Sequence, residues 1–275
     1  MTLALRNTIL RTAMLITIAL LGVYGFALYQ LFIAHPGLSP DFVEIRMSAY
    51  FGADSIEQGV RTLIVMVGAI GLLNTIWIST LIRQFRSRTA PEVFFFMMFL
   101  ATVSLDLVKP LTILTAELPV PLLYSGVITR LVYFGYVFGM LCLFCSSLAV
   151  SVIDSKRTGT VLALAVMISA AFAYVIPVDA TQLYPSLVYR IGLQGTANAT
   201  VGAISGFAVL TFLHAGIAAT DREYAILGAA VALAVIGRHA VFHVPQPVVL
   251  LLGTTCLIAG SVLFGRRSHR RYLWQ

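Results

Sequence analysis

Eight apolar runs alternate with short polar connections along the chain, each close to the ~20 residues a helix needs to cross a bilayer. They cover residues 13–33, 62–82, 93–115, a fourth run returning from Pro119-Val120-Pro121 to Asp154, then 158–176, 201–219, 224–242 and 248–263. This pattern predicts an all-α integral membrane protein, an eight-span helical bundle. The run at 224–242 is the least regular, because Arg238, His239 and His243 crowd its far end; without it seven spans remain. Between the first two runs, residues 42–51 mix Phe42, Ile45 and Tyr50 with charges and suit a short interfacial helix. The connection at 177–197 is unusually apolar, and Tyr184 and Tyr189 place it at headgroup level. Asn198-Ala199-Thr200 fits a glycosylation pattern but falls at a helix start and is discounted.

Composition removes the soluble alternatives. Of 275 residues, 59% are hydrophobic and 11% are charged, with a mean hydropathy of +0.94. A soluble domain carries about 25% charged residues, so this surface is not built for water. The net charge of +7 does not point to nucleic acid, because the basic residues gather in connections. All 18 Lys and Arg but Arg46, Arg61, Lys109, Arg130, Arg190 and Arg238 fall on one side of the eight-span arrangement. By the positive-inside rule that side is cytoplasmic and holds both termini, which implies a multi-pass protein of the plasma or inner membrane. The first run exceeds the 7–15 residues of a secretory signal core and is read as a retained anchor.

Within the apolar runs a few polar residues stand out. Asp106 and Lys109 share a helix face, and Pro110 follows them. A proline withholds a hydrogen bond from the carbonyl four residues earlier, so a kink and a free Asp106 carbonyl are expected. Counted from the proline turn, Arg130 lies level with Lys109, and Tyr133 nearly level with Asp106. Counted from the inner ends, Asp106 follows Glu92 by fourteen residues and Arg238 follows Tyr224 by fourteen, a depth of roughly 21 Å for both. Charges inside a membrane usually face a bundle interior or cavity. Asp106, Lys109, Arg130, Tyr133, Arg238 and His239 are therefore the candidate ligand site, in the outer half of the bundle. The competing expectation is an Asp106–Arg ion pair that locks packing, with Lys109 and Arg130 reaching out to headgroups.

His239 and His243, with His35 on the same side, are weak candidates for a metal, since spacing specifies no third ligand. Cys142 and Cys145 form C-x-x-C without further sulfur or histidine nearby and read as small buried side chains. Gly135 and Gly139, extended by Ser147 and Ser151, form a small-residue face for close contact, within the bundle or with a second copy. Gly202, Gly206 and His214 share a stripe on which His214, like Asn74, is expected to make an interhelical hydrogen bond. The Pro-x-Pro turns at 119–121 and 245–247 suggest two parallel four-helix halves, 1–153 and 154–275, within a single membrane domain. From Gly265 a basic tail, Arg266-Arg267-Ser268-His269-Arg270-Arg271, is expected to touch anionic lipid or dock a cytoplasmic or membrane partner.

No motif calls for a cofactor or a catalytic group. A retinal protein needs a lysine in its last helix, and the lysines are Lys109 and Lys156. Rhomboid-type proteolysis needs its serine and histidine on different helices, whereas Ser205 and His214 share one. In architecture the chain is similar to the multi-span membrane input modules of bacterial sensors, which implies a receptor-like role. A small-molecule transporter with parallel repeats and a non-catalytic assembly subunit are the alternatives.

Overall fold

The computed structural model describes all residues except 35–52, 86–89, 118–121, 152–155, 185, 219–221, 245 and 274–275. His35, the interfacial helix expected at 42–51 and the first Pro-x-Pro turn lie outside the described residues. The elements are α1 (Leu3–Tyr29) ending in a π-helical turn (Gln30–Ala34), α2 (Ala53–Gln84), α3 (Pro91–Val103), a 3-10 turn (Ser104–Val108) and α4 (Leu111–Glu117). There follow α5 (Leu122–Ser151), α6 (Thr158–Val175), the strands β1 (Val178–Leu183) and β2 (Tyr189–Ile191), α7 (Gln194–Ala218), α8 (Arg222–His243) and α9 (Pro247–Leu273). Among the described residues, eight helical stretches are long and apolar enough to cross a membrane, α3 and α4 counting as one. The stretch at 222–243 is among them, with 22 residues.

Helices that are apolar all round belong in the interior of a bundle, and α3 and α5 take that place. Their most apolar windows are 72% and 78% buried, against 22% for α1 and for α6. Phe94, Phe95, Phe96 and Phe99 of α3 are fully enclosed. Phe96 stacks on Phe264 of α9 with ring centres 3.8 Å apart. The α3–α5 contact depends on the small-residue face. A Cβ at Gly135 would meet Leu105 at 2.5 Å, and one at Gly139 would strike the Thr102 hydroxyl. The Gly135/Gly139 face is therefore used inside the bundle. A second close approach joins α8 and α9, where a Cβ at Gly260 would lie 2.5 Å from the Ala230 carbonyl and 2.7 Å from the Ala234 nitrogen.

One expectation changes here. The chain is not purely α-helical, because in the connection at 177–197 β1 and β2 pair antiparallel, Val178 with Ile191 and Asp179 with Arg190. The cause is a local period of two, with Tyr189 and Ile191 buried and Arg190 exposed between them, where its guanidinium donates to Gln182 at 2.8 Å. The hairpin packs on α4 and α5. Thr112 Oγ1 donates to the Lys109 carbonyl at 2.6 Å and shares that proton with the Leu187 carbonyl at 3.1 Å, and the Tyr189 N–H donates to Thr129 Oγ1 at 3.2 Å. The basic tail continues α9 without a break to Leu273. There Arg267 pairs with Glu223 at 3.0 Å, the Arg271 guanidinium lies 3.8 Å from the Tyr224 ring centre, and Ser268 is buried. The Met1 ammonium donates to the Lys156 carbonyl at 2.8 Å. The bundle thus has one end bearing Met1 and the close of α9, and an opposite end bearing the hairpin.

Candidate functional site

The third apolar run does not form one helix. The Pro110 nitrogen cannot donate to Asp106, and the backbone responds by tightening before it. Residues Ser104–Val108 form a 3-10 turn, and helix resumes at Leu111. The Lys109 N–H donates to the Asp106 carbonyl at 3.0 Å. The acceptor expected to stand free is therefore satisfied by the i to i+3 bond that this tighter winding allows. Asn74 of α2 holds the same break, donating from its amide to the Leu100 carbonyl and to Ser104 Oγ, the latter at 3.0 Å. That is the interhelical role expected of Asn74. His214 does not share it, being exposed on the side of α7 that the bundle does not cover. Gly202 and Gly206 lie on that open side too, with nothing near a Cβ added at either.

At the break, Asp106 meets Arg238 of α8 in a two-pronged ion pair, Nη1 to Oδ2 and Nη2 to Oδ1, the second at 3.1 Å. Lys109 Nζ lies 3.6 Å from Asp106 Oδ2. Exposure is 3% for Asp106, 0% for Lys109 and 1% for Arg238. The matched depth of Asp106 and Arg238 thus corresponds to a direct contact. Lys109 does not reach outward as the packing alternative expected, because the 3-10 turn directs it toward α8. Its ammonium lies 4.6 Å from the centre of the Phe242 ring and has no hydrogen-bond partner among the described residues. Two cations and one carboxylate share the enclosure, so its formal charge is +1.

The remaining expected residues divide. Tyr133 is buried beside the cluster, with its ring edge-on to Phe242 at 5.3 Å. Arg130 is half-buried one turn away and contributes no bond to Asp106. His239 joins through a residue the sequence reading passed over. Tyr136 stacks on Phe242 at 3.9 Å, and its hydroxyl meets His239 Nδ1 and, at 3.2 Å, His243 Nε2. His239 Nε2 in turn lies 3.4 Å from Ser205 Oγ, whose own proton goes to the Val201 carbonyl. With one proton on each donor the directions are fixed: His243 Nε2–H to Tyr136 oxygen, Tyr136 O–H to His239 Nδ1, His239 Nε2–H to Ser205. Two neutral imidazoles satisfy this chain. The signal for Tyr136 was in the sequence: it falls one helical turn from Tyr133, so it could be grouped with it.

Both histidines are thus turned to one phenol. Among the described residues, no group of three or more His, Cys, Asp or Glu is placed to hold a metal ion. Cys142 and Cys145 are buried free thiols. A cleft lies elsewhere, between α2, α3 and α9, and is lined by Asn74, Trp77, Leu100, Leu257 and Ser261 among others. No protein-family model matches the chain, and comparisons with curated proteins and with solved structures find no match either.

Proposed function

We propose that the chain is a multi-pass protein of the cell membrane, with both termini cytoplasmic, acting as a receptor-like or sensory module that takes a small anionic ligand at Lys109. The supporting observation is the charge count of the sealed cluster. A pair serving only to lock helices is complete with Asp106 and Arg238. A further buried ammonium costs several kcal/mol unless its charge is matched, and Lys109 shares a carboxylate already gripped twice. A carboxylate or comparable anion at Nζ brings the enclosure to neutrality, and the ring of Phe242 and the Tyr133 side chain offer its apolar walls.

Because the cluster sits at a helix break, a ligand there bears directly on how α3 and α4 are joined. The α9 end, where Arg266 and Arg270 remain exposed, is the natural contact for anionic lipid or a cytoplasmic partner. A second reading has its own support. Asp106 and Arg238 stand in the third spans of the two four-helix halves suggested by the sequence, so the ion pair would be the seam between parallel repeats of a transporter.

The test uses Lys109→Met in purified full-length protein, with thermal unfolding followed against a panel of chloride, phosphate and small carboxylates. A stabilising anion should raise the unfolding temperature of the parent and leave Lys109→Met unmoved, while the variant itself unfolds no earlier. If no anion shifts the parent, or the variant responds equally, the ligand reading fails and an assembly role with structural charges stands in its place. Accumulation of the same anion in proteoliposomes, lost in Asp106→Asn, would decide for the transporter.

A further inference from the structure

The hydrogen-bonded row Ser205, His239, Tyr136, His243 takes no part in holding the ion cluster, yet it lies against it. Phe242 joins the two. The Lys109 ammonium lies 4.6 Å from the centre of its ring, and Tyr136 stacks on it at 3.9 Å. The Arg238 guanidinium is 5.5 Å from the centre of the Tyr136 ring. Asp106, Lys109 and Arg238 are the charged groups that face the two imidazoles, and the Tyr133 phenol stands beside Tyr136. From α7 the row meets the uncharged Ser205 hydroxyl. The charged residues of α9, Arg266 to Arg271, lie at the other end of the bundle.

The row has room for one more proton. Of the four ring nitrogens, His239 Nδ1 and His243 Nε2 are committed to the Tyr136 hydroxyl and His239 Nε2 to Ser205. The fourth, His243 Nδ1, belongs to the last residue of α8, half-buried at the hairpin end of the bundle. In the resting arrangement it carries no proton. A proton arriving there makes His243 an imidazolium and breaks no bond of the row. Passing the charge inward breaks none either: the His243 Nε2 proton moves to the Tyr136 oxygen, the Tyr136 proton moves to His239 Nδ1, and the charge rests on His239. A second proton has no such place. With both rings charged, both donate to the Tyr136 oxygen, and its own O–H loses its acceptor.

The added charge stands beside a cluster of formal charge +1, which repels it. An anion at Lys109 removes that repulsion, and linkage requires the proton to tighten the anion in return. We propose that the site takes its ligand as an anion together with one proton, the anion at Lys109 and the proton on the histidine pair bridged by Tyr136. This rests on the anion reading of Lys109 and adds the proton to it.

The test mixes full-length protein, in weakly buffered detergent solution with a soluble pH indicator, with potassium acetate or chloride adjusted to the same pH. Neither anion changes its charge above about pH 6, so a rise in pH reports uptake by the protein. Uptake should approach about one proton per protein, and affinity should climb as pH falls, by up to about tenfold per pH unit. The double variant His239→Asn/His243→Gln sets side-chain amides where Nδ1 and Nε2 stood. It should keep the anion-induced rise in unfolding temperature and lose both the uptake and the pH dependence. If it fails to fold, the single variants serve: each leaves one ring without the other, so the pH at which uptake occurs should move in both. An anion that stabilises the parent with no proton uptake overturns the proposal and leaves the Lys109 reading standing. Uptake that persists in the double variant, or at an unchanged pH in both single variants, overturns it likewise. No stabilisation by either anion at any pH overturns the Lys109 reading and this one with it.

Discussion

The three charges at the α3 break do not contribute alike, and their arithmetic orders the effects of single substitutions. Asp106→Asn leaves Lys109 and Arg238 as two buried cations with no counter-charge. Removing one partner of a buried pair typically costs about 3–5 kcal/mol, and this case belongs at the upper end. Arg238→Gln leaves Asp106 with Lys109 at 3.6 Å, a neutral pair already in place. Its loss of unfolding temperature in detergent should therefore be clearly smaller than that of Asp106→Asn. The reverse order would mean that the two-pronged geometry of Arg238 outweighs charge balance. At Tyr136 the relevant quantity is hydrogen bonding. Tyr136→Phe keeps the stack on Phe242 and leaves His239 Nδ1 and His243 Nε2 without their shared partner. A loss of about 1–3 kcal/mol is expected by thermal or chemical denaturation, whereas no loss would show that water serves the histidines equally well.

At the scale of elements, two features carry consequences. The β-hairpin is held to α4 and α5 by threonine hydroxyls as well as by buried Leu187 and Tyr189. Leu187 and Leu193 take positive φ values of 59° and 58°, a backbone region that branched or bulky side chains seldom occupy. Thr112→Val and Thr129→Val together should therefore loosen the hairpin before the helices. Faster amide exchange confined to 178–191 would be the sign, and uniform acceleration across the bundle would speak against it. The α3–α5 contact is the stiffer element. A Cβ at Gly139 would collide with Thr102 and lie 3.3 Å from Phe99. Gly139→Val should cost at least the ~1–3 kcal/mol of an overpacked core, while Gly206→Val on the open side of α7 should cost little.

For the whole molecule, the arrangement of ends is the testable property. Met1, Arg267 and His269 meet the starts and ends of other helices at one end, and the hairpin closes the other. If that first end is cytoplasmic, single cysteines at Arg270 and Gln182, in a background lacking Cys142, Cys145 and Cys256, should react with an impermeant thiol reagent from opposite sides. In intact cells Gln182→Cys is labelled and Arg270→Cys only after lysis. Labelling of both from the same side would break the eight-span topology.

By itself the amino-acid order determined the number and approximate extent of the apolar helices, because the length of a crossing helix and its apolar content are local properties. It also set the shared depth of Asp106 and Arg238, since a helix converts residue counts into height. It located the break at Pro110, since a proline's missing N–H acts within four residues. Only the tertiary structure decided which residues meet at that height. Rotation of a helix about its axis leaves depth unchanged, yet it selects Tyr136 over Arg130 as a neighbour and turns His214 outward. It decided too that Lys109 points inward, since the direction of that side chain depends on how tightly the backbone winds at the break. The meaning of the charges follows from that arrangement: two cations closed around one carboxylate, a condition no residue count along the chain expresses.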